Sequence, residues 1–549
     1  MLHGLMMNTP LVITSIMRFA ERNFPGSGIV SVSDEGTRTC SSYADAFRRA
    51  ARLAHGLGDL GIRPGDRVAT LAWNDFRHFE IYYGLSCYGA VCHTVNPRLF
   101  PDQIAYIIDH AEDAWIFADP MFAPLLAAIW PRLRSPRGVT FLTDSRGMPA
   151  TSIPAASDYE ALLAGKPDRF EWPELDERTA SALCYTSGTT GLPKGVLYDH
   201  RSTVVHAYAA CMPDVMGLRN RDTVLAVVPM FHANAWSLPY ACPIVGADLV
   251  LPGPRMGDPQ VLADLIDEFG VTVTLGVPTV WLGLLAYLKK SGRRIESLER
   301  MVVGGAACPE SLMKAFREEY GVEVHHSWGM TEMSPLGVLN SPTKKFEDLS
   351  PDEKDRQRLK QGRGVFGVEM RIVDESGEEL PWDGSTSGSL QVRGPWVCGA
   401  YYRPEEPDPA HRSDGWFDTG DVATIDEMGF MQITDRAKDV IKSGGEWISS
   451  MELENVAMSH EGVAEAAVIG VPHPRWGERP LLIVVPSGSQ LPDQAGLLEW
   501  MSDKVVRWWL PDDVIFVEEI PHTGTGKIAK TELRRLYGNH RLPERASEG

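Results

Sequence analysis

Between Tyr43 and Leu57 the apolar residues Tyr43, Phe47, Ala50, Ala54 and Leu57 recur at three- and four-residue intervals, with Arg48, Arg49 and Arg52 among them. A period near 3.6 gathers such side chains on one face, so the stretch predicts an amphipathic helix. Gly61, Pro64 and Gly65 end it, and the apolar run Val68 to Ala72 predicts a short buried strand. The rhythm returns at Thr223 to Val228, Ala247 to Leu251, Val271 to Leu275 and Met301 to Val303, with helical stretches between them. Alternating strands and helices predict an α/β sandwich.

Downstream the pattern changes. Thr343 to Gly364 is polar and charged and predicts a surface excursion. Glycine-punctuated strand-like runs such as Gly388 to Val392 then predict a β-rich subdomain. A charged turn at Asp435 to Lys438 precedes a new α/β unit made of Val463 to Val471, Leu481 to Val485, a helix and Val514 to Val517. The expected division is residues 1–435 and 436–549.

A length of 549 residues favours two or more domains. Apolar residues make up 44% and charged residues 23%, which fits a globular enzyme. The net charge of −20 repels polyphosphates, so nucleic acid is excluded as an expected partner and any nucleotide needs local basic groups. Eight cysteines without a CxxC pair read as reduced, cytoplasmic usage. The run Leu11 to Met17 lacks a basic leader and reads as folded, and no stretch approaches the ~18 apolar residues of a membrane span.

The strongest chemical signal is Tyr185-Thr-Ser-Gly-Thr-Thr-Gly-Leu-Pro-Lys-Gly-Val196, directly after an apolar strand. Glycines let backbone N–H groups approach phosphate oxygens, hydroxyls add donors and Lys194 adds charge. The loop is not of Walker A type, because no Gly-Lys-Ser/Thr occurs in it.

This loop resembles the signature of the adenylate-forming superfamily of acyl-CoA synthetases, luciferases and adenylation domains. Further matches stand in order at Gly304-Gly-Ala-Ala-Cys308, Trp328-Gly-Met-Thr-Glu332, Phe417-Asp-Thr-Gly-Asp421, Asp435-Arg-Ala-Lys-Asp-Val-Ile-Lys-Ser-Gly-Gly-Glu446 and Thr523-Gly-Thr-Gly-Lys-Ile528. The resemblance implies an α/β fold with a large N-terminal domain of αβ-sandwich subdomains and a small β-barrel-like subdomain, followed by a smaller, mobile C-terminal α+β domain. It implies ATP, Mg²⁺ and coenzyme A as cofactors, a carboxylic acid as substrate, and a homodimer.

Residue by residue, it places Thr186, Ser187, Gly188, Thr189, Thr190, Gly191 and Lys194 on the phosphates. Gly305, Ala306, Ala307, His326, Trp328, Gly329, Met330, Thr331 and Ile433 line the nucleotide, with Trp328 against adenine. Glu332 holds Mg²⁺ with Thr186 nearby, a carboxylate being suited to a hard cation. Asp421 accepts both ribose hydroxyls with Arg436 beside it. Lys527 carries the first half-reaction by neutralising charge between the carboxylate and the α-phosphate. Lys438 marks a hinge, and Lys442, Gly444, Gly445, Glu446 and Trp447 form the loop used in thioester formation. Read alone, a lysine among glycines is a solvated turn and an aspartate after Thr-Gly is a turn residue or a cap; these roles rest on the resemblance.

For the acid, Phe231-His-Ala-Asn-Ala-Trp236 and the Gly304-Gly305 turn are expected to wall the acyl pocket with Gly329 and Met330, and His232 to orient the carboxylate. The blocks Ala69 to Asn74, Glu80 to Gly84, His93 to Phe100, Met230 to Trp236 and Ile441 to Ile448 resemble bacterial medium-chain fatty-acyl-CoA synthetases and 3-methylmercaptopropionyl-CoA ligases. The expected substrate is therefore a short or medium apolar acid, with arylalkanoates as the alternative. An adenylating oxygenase or carrier-loading domain is a second enzyme reading, although neither a carrier domain nor a peroxisomal tripeptide is seen at Ala-Ser-Glu-Gly549. A silent nucleotide-binding scaffold is a third.

Overall fold

The computed structural model describes residues 2–186, 192–404, 406–443, 446–487, 493–522 and 528–543, with 446 and 447 described in their backbone only. The chain forms two compact units. The first comprises Met1–Thr186, Leu192–Glu369 and Arg393–Asp408, and the second comprises Met370–Val392 and Pro409–Gly549.

The first unit holds two mixed sheets. One runs in the order Ser157–Asp158, Val139–Phe141, Asp113–Ala118, Arg67–Leu71, Val91–Thr94, Ala180–Tyr185, Gly195–Asp199, parallel except for its last pair. The other has a parallel centre of Glu323–Gly329, Arg300–Val303, Val273–Gly276, Thr223–Ala226, Asp248–Leu251 and Gly28–Val32. Central strands such as Val91–Thr94 and Val273–Gly276 are buried along their whole length. That burial explains why they read as unbroken apolar runs rather than alternating ones. Each predicted strand in this part of the chain is found, displaced by no more than two residues at either end.

The predicted helix spans Tyr43–Asp59. Ser42 Oγ accepts from the Asp45 N–H at 3.1 Å, and the Asp45 carboxylate accepts from the Ser42 N–H at 3.4 Å, a reciprocal cap at its start. Tyr43, Phe47, Ala50, Ala54 and Leu57 are all buried. Arg49 is drawn inward as well: its Nε donates to Glu80 at 2.7 Å, and its two terminal nitrogens each donate to Glu160 at 3.0 Å. Glu80, fully buried on the next helix, Phe76–Tyr88, also accepts from the Tyr159 hydroxyl at 2.9 Å.

Burial pushes the Glu80 carboxyl up to about 7 against the opposing pull of Arg49. A raised folded-state value means that Glu80 stabilises the fold fully below about 4.5 and loses that contribution as pH rises through 7. Glu80→Gln, neutral throughout, is expected to remove up to about 3 kcal/mol of pH-dependent stability across that window. Thermal melts from pH 4.5 to 8 check this; an unchanged slope in the variant would contradict it.

The polar stretch Thr343 to Gly364 is better anchored than its composition suggested. It contains the helix Pro351–Leu359, opened by a reciprocal Ser350–Glu353 cap. Phe346 is buried with Lys354 and Arg358 over its ring at 5.7 and 4.9 Å. Asn340 Nδ2 donates to the carbonyls of Gln357 and Lys360 at 2.8 and 2.7 Å. One aromatic under basic side-chain stems leaves little apolar periodicity to read.

In the second unit, Gly388–Arg393, Phe417–Ile425 and Phe430–Arg436 form antiparallel strands. A further sheet pairs Glu446–Ile448, Ile441–Ser443, Gly477–Pro486 and Val463–His473, with Asp513–Phe516 parallel to Gly477–Pro486. The expected boundary near Asp435 lies within this unit, where Asp435 accepts from the Ser450 N–H and hydroxyl at 2.5 and 3.0 Å. Among the described residues no helix is long and apolar enough to cross a membrane.

Candidate active site

In parallel sheets, ligands collect at the carboxyl ends of the strands. The phosphate-loop candidates of the first unit follow such an end. Ala180–Tyr185 turns back antiparallel into Gly195–Asp199, and the neck of the intervening loop is closed by Thr186 N–H to Lys194 O at 2.9 Å and Lys194 N–H to Thr186 Oγ1 at 3.3 Å. The Lys194 ammonium pairs with Asp408 and lies 5.0 Å over the Tyr401 ring. Ser187, Gly188, Thr189, Thr190 and Gly191 lie outside the described residues.

Trp328, Gly329, Met330, Thr331 and Glu332 end the strand Glu323–Gly329. Gly329 is obligatory, because a Cβ there would stand 1.8 Å from the Pro335 carbonyl oxygen. Trp328 is largely buried, packed so closely on Gly337 that a Cβ at 337 would lie 2.6 Å from its ring. The Thr331 carbonyl accepts from the Tyr198 hydroxyl at 2.6 Å, and the Glu332 carbonyl from the Cys398 N–H at 2.8 Å. Glu332 Oε1 accepts from the Tyr401 hydroxyl at 2.7 Å. His326 is buried and its Nδ1–H donates to the Leu359 carbonyl at 2.9 Å; burial lowers its pKa.

Among the described residues no cluster of three or more His, Cys, Asp or Glu could enclose a metal. A single carboxylate beside a hydroxyl-bearing turn nevertheless fits Mg²⁺, which takes oxygen ligands and keeps water or phosphate for most of its shell. Glu332 is the residue that would hold it.

The acyl segment takes an unexpected conformation. Ala233, Asn234, Ala235, Trp236 and Ser237 all have positive φ, from 42° to 67°, forming a left-handed turn without a glycine. Each such residue costs ~1–2 kcal/mol, so the surroundings must hold the turn in place. Asn74 donates to the carbonyls of Ala226 and Val228 at 2.9 and 2.8 Å and accepts from Met230 N–H at 2.6 Å. The Tyr82 hydroxyl reaches the Met230 carbonyl and Asn234 Oδ1. His206 Nε2 accepts from the Leu336 N–H at 3.1 Å, which leaves the proton on Nδ1 to donate to Ser237 Oγ at 2.7 Å. Burial pushes His206 down to about 3, so it stays neutral.

The turn brings Trp236 to Gly304: a Cβ on Gly304 would stand 3.0 Å from the indole and 2.5 Å from Ser327 Oγ. These two expected pocket residues are therefore neighbours. His232 is half-buried at the start of the turn, and Gly305 has a φ of 83°.

In the second unit, Asp421 is 1% exposed and pairs with Arg436 Nε at 2.8 Å across the antiparallel strands, with Ile433 further along the same strand as Arg436. Lys438 is exposed, and partial desolvation lowers its pKa against the pull of Asp439. Lys442 sits on Ile441–Ser443 with Glu375 at 3.6 Å. Gly444, Gly445, Lys527 and the side chains of Glu446 and Trp447 lie outside the described residues. Sequence reasoning did not single out Tyr401, Asp408, His206 or Asn74, since each acts through a partner remote in the chain.

An α/β unit with a glycine- and hydroxyl-rich sequence following a strand end, and a buried carboxylate at Glu332, fits an enzyme that binds a nucleotide. The chain belongs to the AMP-binding enzyme family: it matches the AMP-binding enzyme profile over residues 20–402 and the AMP-binding enzyme C-terminal domain over residues 452–527. It is 51% identical over 531 residues to the 3-methylmercaptopropionyl-CoA ligase of Ruegeria lacuscaerulensis, covering 97% of this chain and 98% of that protein. It is 50% identical over 537 residues to the medium-chain-fatty-acid–CoA ligase of Ectopseudomonas oleovorans, covering 98% of each. The fold is similar to ATP-bound MatB from Rhodopseudomonas palustris, with a TM-score of 0.80, 27% identity, and coverage of 96% of this chain and 99% of that one.

Proposed function

We propose that the protein, an AMP-forming acid–CoA ligase, activates a short- or medium-chain apolar acid as its acyl-adenylate and passes the acyl group to coenzyme A. The acid is a medium-chain fatty acid or a thioether acid such as 3-methylmercaptopropionate. The observation that carries the reading is the half-identity, over nearly the full length, to ligases named for those two acids. A sulfur in place of a methylene changes shape little, so one pocket serves both.

In the first half-reaction a carboxylate oxygen attacks the α-phosphorus of ATP and pyrophosphate leaves; in the second the thiol sulfur of coenzyme A attacks the acyl carbonyl and AMP leaves. Lys194 and Thr186 are assigned to the phosphates, Asp421 and Arg436 to the ribose, and Trp328 to adenine. Glu332 is assigned to Mg²⁺, which when bound offsets phosphate charge. Lys527 is assigned to the first step, and Lys442 with residues 444–447 to the second. Residues 436–549, hinged at Lys438, are assigned as the part re-aimed between steps. The working form is assigned as a cytoplasmic homodimer.

Pyrophosphate–ATP exchange with a panel of acids from C2 to C12, 3-methylmercaptopropionate and phenylalkanoates tests the reading. Exchange with the aliphatic and thioether acids, and AMP release that requires CoA, are expected. Absence of exchange with every acid would leave only the scaffold reading. In the same panel Trp236→Ala, which removes the indole beside Gly304, is expected to raise kcat/KM for dodecanoate about tenfold and lower it about tenfold for 3-methylmercaptopropionate. An unchanged chain-length profile would remove Trp236 from the pocket wall.

A further inference from the structure

The segment Cys398–Tyr402 is tied at both ends to the elements that carry Glu332 and Lys194. At one end the Cys398 N–H donates to the Glu332 carbonyl at 2.8 Å; at the other the Tyr402 N–H donates to the Gly195 carbonyl at 2.7 Å, directly after Lys194. A Cβ on Gly195 would stand 3.2 Å from Tyr402 Cβ, so the two backbones are in close contact. Just beyond, Arg403 pairs with Glu112 at 2.6 Å and its carbonyl meets His110 Nε2 at 3.2 Å. The strap is thus fixed to the phosphate-loop strand and to the Glu332 turn at once.

Between these ties Tyr401 touches both functional groups. Its hydroxyl donates to Glu332 Oε1 at 2.7 Å, and the Lys194 ammonium lies 5.0 Å over its ring. Asp408, whose side chain is 13% exposed, pairs with the same ammonium. A hydrogen bond to one carboxylate oxygen fixes how the carboxylate is turned, and groups that orient a metal ligand commonly set metal affinity. An aromatic face under an ammonium restricts its position at modest cost.

We propose that Tyr401 is a positioning residue that holds the Glu332 carboxylate and the Lys194 ammonium at the spacing a metal-bound triphosphate requires, with Asp408 as the counter-ion that Lys194 leaves when phosphate binds. The inference rests on the assignment of Glu332 to Mg²⁺ and of Lys194 to phosphate.

The test is calorimetric titration of the full-length protein with ATP, in excess MgCl₂ and separately in EDTA, the ratio of the two Kd values giving the metal-linked gain. Tyr401→Phe keeps the ring and loses the hydroxyl. It is expected to reduce the gain about tenfold, leave Kd in EDTA unchanged and leave KM for the acid unchanged. Tyr401→Leu loses the ring too and is expected also to weaken binding in EDTA about threefold. Asp408→Asn, an independent variant, is expected to tighten binding in EDTA about threefold by releasing Lys194. A wild-type gain in Tyr401→Phe overturns the role of Tyr401, and an unchanged EDTA Kd in Asp408→Asn overturns that of Asp408. If the wild-type protein itself shows no gain, the assignment of Glu332 fails first, which separates the two readings.

Discussion

Replacing Lys527 with alanine is expected to depress pyrophosphate–ATP exchange about a thousandfold while acyl-CoA formation from supplied acyl-adenylate stays within about threefold of wild type. Adenylation brings an anionic carboxylate against an anionic α-phosphate, so a positioned ammonium is worth most where negative charge accumulates on the transferring group. The thioester step starts from a mixed anhydride whose carbonyl is uncharged and needs no such help at the same place. Lys530, three residues on, is no substitute: its ammonium is buried and committed to Glu454 at 2.7 Å and the Ser450 hydroxyl at 2.6 Å. Gly445→Leu is expected to give the converse pattern. Rapid-quench measurement of each half-reaction separates them, and equal losses in both steps for both variants would defeat the assignment of different groups to different steps.

What could be read from the chain was what lies contiguously in it. The helix Tyr43–Asp59 and the strands around it follow from local period and capping, and the segments assigned to phosphate and to Mg²⁺ are short unbroken motifs in the sequence. What stayed hidden depends on partners far along the chain. Nothing in Ala-Asn-Ala-Trp-Ser signals five positive φ angles, because the turn is imposed by Asn74, Tyr82 and His206 rather than by glycines of its own. The same holds for Tyr401, whose partner Glu332 is 69 residues earlier. Arg49 read as one of three polar positions on a helix, and only tertiary packing shows it turned toward the buried Glu80. Local propensity specifies elements, whereas strained or charged groups are tolerated only where remote groups satisfy them.

Arg479 carries that contrast to its largest energetic consequence. Its side chain is 2% exposed in the middle of the second unit, and every N–H of its guanidinium has an acceptor. Nε and Nη2 donate to Asp512 Oδ1 at 3.0 and 2.7 Å, Nη2 also to the Leu510 carbonyl at 3.1 Å, and Nη1 to the Trp508 carbonyl at 2.8 Å and Ser443 Oγ at 3.2 Å. One side chain therefore joins the strand Gly477–Pro486 to the turn at residues 508–512 and to Ser443, the residue after Lys442. Arg479→Met strands the buried Asp512 carboxylate and is expected to destabilise the second unit by about 3–5 kcal/mol, read as a lower urea midpoint for its unfolding transition. Adding Asp512→Leu removes the stranded charge and is expected to recover most of that stability. Because Ser443 has still lost its anchor, the double variant is expected to remain about tenfold slow in thioester formation with adenylation near wild type. If the double variant were as unstable as Arg479→Met, the loss would come from packing rather than from the isolated charge; if its thioester step were fully restored, Arg479 would have no part in holding the segment that carries Lys442.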